Sequence, residues 1–84
     1  MTTHAIHFAH STLERAVETI SEGTSFYTPE QLAGWYAYEA SREAGFGYDD
    51  DTLEAHLDVI RDAGAVFDQA GAIAAARGFA EQFA

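Results

Sequence analysis

Glu14, Glu18 and Glu22 stand four residues apart, and Glu54, Asp58 and Asp62 repeat the spacing. On a helix that step puts successive side chains on one face, about 6 Å apart along the axis. Paired carboxylates can serve as general acid and base or as a field that attracts cations, and the two uses need different surroundings. A catalytic acid has to be sheltered to raise its pKa. Both triplets instead lie roughly 100–180° around their helices from the apolar positions, which makes them solvent-facing stripes. Consecutive like charges cost about 0.2–0.5 kcal/mol per pair, or about 1–2 kcal/mol over both stripes. Glu22 and Asp62 also fall at the negative ends of the helix dipoles, and only Arg15 and Arg61 lie nearby in the chain to offset them. The spacing therefore leaves two readings, a surface solvated for solubility or adapted to salt, and an array that attracts a basic partner. No Ser-His-Asp arrangement, phosphate loop or dinucleotide fingerprint accompanies it, so no enzyme is expected and no catalytic residue is assigned.

Two other constellations invite metal chemistry. His4, His7 and His10 form His-x-x-His-x-x-His, and imidazole is the commonest nitrogen ligand of zinc, nickel and copper. On a strand His7 would face away from the other two, and on a helix the three rings would spread over about 120°. A polar N-terminal arm is the simpler expectation. Asp49-Asp50-Asp51 lacks the glycine and the final glutamate of a calcium loop, the twelfth position being Ile60. Capping of the helix that follows explains that run better. We expect neither a metal nor a cofactor. His56 lies beside Leu53 and Leu57 on the apolar side of its segment, where a hydrogen-bonded boundary histidine is expected.

Composition bounds the partners. Fourteen acidic residues face four arginines and no lysine, for a net charge of −10 on 84 residues. Such a surface repels nucleic acid and anionic membrane and draws in basic proteins. Nearly half the residues are apolar and 13% are aromatic, too many to leave in water, so the chain should fold as one domain. Cysteine is absent, which excludes disulfides, thiolate metal sites and cysteine nucleophiles. No apolar run has the length a bilayer needs, and the start lacks the pattern of a signal peptide. A cytoplasmic protein without membrane contact is expected.

Helices must position the stripes, and the sequence marks most of their ends. Residues 1–10 read as a short strand or extended arm, and residues 11–84 as an all-α bundle of three or four helices. Ser11 and Glu14 form a capping-box pattern ahead of Leu13, Val17 and Ile20, and Gly23 can end that first helix. Thr28, Pro29 and Gln31 open the second helix, with Tyr27 and Leu32 spaced as a hydrophobic staple, and it stops near Gly45. The third carries Leu53, Leu57 and Ile60 toward the core. Gly64, Gly71 and Gly78 recur every seven residues, so a break near Gly64 or Gly71 should precede an Ala-rich final helix ending at Phe83.

Trp35, Tyr36 and Tyr38 point in three directions from one helix, and Phe46 and Tyr48 follow in a loop, so some ring should reach the surface as an anchor. With its few basic residues, its acidic faces Glu14/Glu18/Glu22 and Glu54/Asp58/Asp62, and aromatics around Phe46 and Tyr48, the chain resembles the small phage-encoded inhibitors of host defence, the anti-CRISPR proteins. The resemblance is one of type and transfers no residue. It implies binding to a nucleoprotein effector complex, often at a surface meant for DNA, in the cytoplasm of the host and without catalysis. The function expected is thus binding and inhibition of a basic, nucleic-acid-handling partner, by imitation of DNA, with Tyr38, Phe46 and Tyr48 as aromatic contacts. A different class of reading is a self-associating helical module, a homodimer in which Gly64, Gly71 and Gly78, widened by Ala63, Ala70 and Ala74, let a neighbouring helix approach.

Overall fold

The computed structural model describes residues 10–24, 26–45 and 49–83. Four helices make up most of them: α1 (His10–Glu22), α2 (Pro29–Ala44), α3 (Asp50–Asp62) and α4 (Gln69–Phe83). The described residues contain no strand, and the architecture is the expected all-α bundle. Residues 1–9, read above as an arm or strand, lie outside the described residues. His10 already belongs to α1, one residue ahead of the expected cap at Ser11. The first N–H groups of a helix have no partner within it, so a start can move by a residue at little cost.

Where the end signals are local, sequence and structure agree. Thr28 accepts the N–H of Gln31 at 3.1 Å, and the Gln31 side chain accepts the N–H of Thr28 at 2.9 Å, closing a capping box ahead of Pro29. Asp49 alone of its acidic run takes the cap of α3, accepting the N–H of Thr52 at 2.8 Å. Gly64, at φ 120°, adopts a backbone that side chains resist, and the chain breaks there. Asp68 then caps α4 by accepting the N–H of Gly71 at 2.9 Å.

The core is built largely from small side chains. Ala33, Ala37, Ala72 and Ala76 are buried on the facing sides of α2 and α4, while Leu53, Leu57 and Ile60 bury the apolar side of α3 as expected. The α2–α4 contact is the most extensive in the bundle. Its two helices run in the same direction, because the start of α2 meets the start of α4 at Glu30 and Asp68, and Tyr38 meets Phe83 further on. Gly34 sets how closely they pack. A Cβ on Gly34 would lie 2.7 Å from the carbonyl oxygen of Ala72 and 2.9 Å from the nitrogen of Ala76. Helix α1 packs on α2 and α3 but not on α4, which leaves it on the opposite side of the bundle.

Gly64 does not share a helix face with the other two glycines of the expected small-residue face. Gly64 lies in a turn, Gly71 faces the side chains of Glu30 and Asp68, and Gly78 meets nothing within 4 Å. A seven-residue repeat makes one helical face only if a single helix contains it, and the break at Gly64 removes that condition.

Candidate functional site

Helix α1 presents its acidic stripe because Ala16 and Ile20 are buried against the bundle, which turns Glu14, Glu18 and Glu22 to solvent. Glu54, Asp58 and Asp62 are exposed on α3 for the same reason, opposite Leu53, Leu57 and Ile60. The residue after α3, Ala63, comes up to the α1 stripe. A groove of about 410 Å³ runs between α1 and the end of α3, lined by Leu13, Glu14, Val17, Glu18 and Ala63. Val17 lies 4.0 Å from where a Cβ on Gly64 would stand, and Asp62 adjoins Ala63 in the chain. The groove thus has an apolar floor and a carboxylate rim. Glu54 and Asp58 sit further back along α3, Glu54 about 12 Å from Asp62 by helix rise.

Three of the four arginines are engaged with residues outside the stripes. Arg42 pairs with Glu39 at 3.0 Å and Arg77 with Asp50 at 2.8 Å, neither being a stripe residue. Arg61 donates to the side-chain oxygen of Gln69 and lies over the ring of Phe67, while the Gln69 amide donates to Asp58 at 2.9 Å. Among the described residues no cation pairs with Glu18, Glu22, Glu54 or Asp62.

The aromatic contacts are placed differently from expectation. Tyr38 is 1% exposed and is no surface anchor. Trp35, Phe79 and Phe83 cover it with ring centroids at 5.5, 6.4 and 6.4 Å, and the Arg42 guanidinium lies over its ring at 5.8 Å. Phe46 and Tyr48 lie outside the described residues. The exposed rings sit instead around a cleft of about 310 Å³ lined by Tyr27, Gln31, Leu32, Trp35, Phe79 and Phe83. Trp35 meets Phe79 edge-on at 5.1 Å and Phe83 at 5.9 Å. This α2–α4 cleft was not legible as a site, although Phe79 and Phe83, four apart near the chain's end, carry the spacing of one helix face.

His56 is buried completely. Its Nδ1 lies 2.9 Å from the Thr52 carbonyl oxygen and 3.2 Å from Ser41 Oγ. A carbonyl only accepts, so that partner assigns the hydrogen to Nδ1. The ring ties α3 to α2 and has no access to a substrate from solvent.

The described residues hold no group of three metal-ligating side chains, and no described helix is long and apolar enough to cross a membrane. His4 and His7 lie outside the described residues. No protein-family model, curated protein or solved structure matches this chain.

Proposed function

We propose that this is a non-enzymatic acidic interaction protein that binds and inhibits a basic nucleic-acid-handling protein or nucleoprotein complex. The observation that carries the reading is the groove between α1 and the end of α3. There Glu14 and Glu18 rim an apolar floor of Leu13, Val17 and Ala63, and among the described residues no arginine forms a salt bridge with Glu18. Carboxylates repeated about every 6 Å offer a basic surface the same kind of periodic negative charge that it meets on a phosphate backbone. The apolar floor adds what phosphate lacks, burial of the hydrocarbon stems of Lys and Arg as their charged ends reach the rim. Occupation of a partner's nucleic-acid surface by this groove is inhibition by competition, and it requires no chemistry. In this respect the protein acts in the cytoplasm as the anti-CRISPR inhibitors it resembles in type do.

Capture from a bacterial lysate at low and high salt tests this reading. The expected result is a basic protein held at low salt, released at high salt and displaced by duplex DNA, because such attraction is screened over about 8 Å at physiological ionic strength. Recovery of no basic protein at low salt, or of one that DNA does not displace, would overturn it.

A further inference from the structure

The aromatic cleft of α2 and α4 lies apart from the acidic groove, and its chemistry is opposite. None of its six lining residues carries a charge, in a chain whose net charge is −10. Tyr27, Trp35 and Phe83 line it while remaining 55%, 36% and 53% exposed, and Phe26, one residue before Tyr27, is 85% exposed. With aromatic side chains of 150–250 Å² each, these four leave on the order of 450 Å² of ring surface in water. That is more than half of the roughly 800 Å² per partner that a standard interface buries. We infer that this cleft is the interface of a symmetric homodimer, in which Phe26 of each copy enters the cleft of the other.

Two features select a second copy as the occupant. A two-fold interface has to be self-complementary, and here a projecting ring and a cleft of about 310 Å³, large enough for one, stand side by side on the same surface. The second feature is electrostatic. Two chains of charge −10 repel, and they can approach most closely where the surface is neutral, which the cleft is. Because α1 does not pack on α4, the dimer leaves the groove of Glu14 and Glu18 uncovered on each copy.

Sedimentation equilibrium of the full chain, from micromolar to near-millimolar concentration, tests the inference. The expected result is a reversible dimer with a dissociation constant on the order of tens of micromolar. It should tighten as salt rises, the opposite of the response expected for a basic partner, so the two ideas fail separately. Emission of Trp35, the chain's sole tryptophan, should shift to the blue with chain concentration as its ring is covered. Phe26→Ala, at a side chain that contributes little to the fold, should weaken the dimer at least tenfold with the circular dichroism unchanged. Glu14→Gln with Glu18→Gln should leave the dimer as tight or tighter. A chain that stays monomeric throughout, or a dimer indifferent to Phe26→Ala, would overturn the proposal. So would a monomer whose Trp35 emission shifts only when a captured basic partner is added, since the cleft would then belong to that interface.

Discussion

The carboxylate of Glu30 accepts the backbone N–H of Asp68 at 2.8 Å, a contact between residues 38 apart in the chain. It joins the first turn of α2 to the cap of α4 and so fixes which end of each helix meets the other. A hydrogen bond to a charged acceptor is worth about 1.5–3 kcal/mol when sheltered and less in solvent. Glu30→Ala should therefore lower unfolding stability by about 1 kcal/mol. Urea denaturation checks this, and an unchanged midpoint would show that the bond contributes nothing in solution.

Gly34 and Gly78 should respond in opposite directions to the same substitution. Alanine favours a helix over glycine by about 1 kcal/mol. At Gly78 nothing lies within 4 Å of the added Cβ, so Gly78→Ala should stabilise by about 0.5–1 kcal/mol. At Gly34 the new atom would press on backbone atoms of Ala72 and Ala76, and overpacking costs about 1–3 kcal/mol, which outweighs the propensity gain. Thermal unfolding of the two variants side by side gives the signs directly.

Thr52 is 1% exposed, and its hydroxyl has no hydrogen-bond partner among the described residues. Leaving a hydroxyl buried without a partner costs about 1–3 kcal/mol. Thr52→Val keeps the shape and removes that cost, so the variant should be more stable by about 1 kcal/mol. Loss of stability on this substitution would mean that the hydroxyl finds a partner in solution.

Much of this fold could be read before it was seen, because the deciding contacts lie within a few residues. The Thr28 box, the Asp49 cap and the outward stripes all follow from spacing within one helix. What could not be read depends on where α4 lands. Tyr38 is buried because Phe79 and Phe83 cover it, and nothing in the local pattern of Trp35, Tyr36 and Tyr38 says which ring that will be. The glycines divide in the same way. Their seven-residue repeat was conspicuous, yet the glycine that permits close packing is Gly34, outside the repeat, signalled only by alanines four apart at 33 and 37 and at 72 and 76. The acidic groove falls between these cases, since the α1 stripe was legible and the approach of Ala63 to it was not.

On the function proposed, the location of the carboxylates, and not their number, recruits a basic partner. Titration of an Arg-rich helical peptide against two variants of equal charge isolates it. One variant carries Glu14→Gln and Glu18→Gln at the groove; the other carries Glu43→Gln and Glu81→Gln, both exposed elsewhere. Circular dichroism of the two variants checks that both keep the helices. The groove variant should lose at least tenfold in affinity at low salt, about 1.4 kcal/mol or more, while the remote variant should lose less than about threefold. Equal losses in the two variants, or no loss in either, would contradict it.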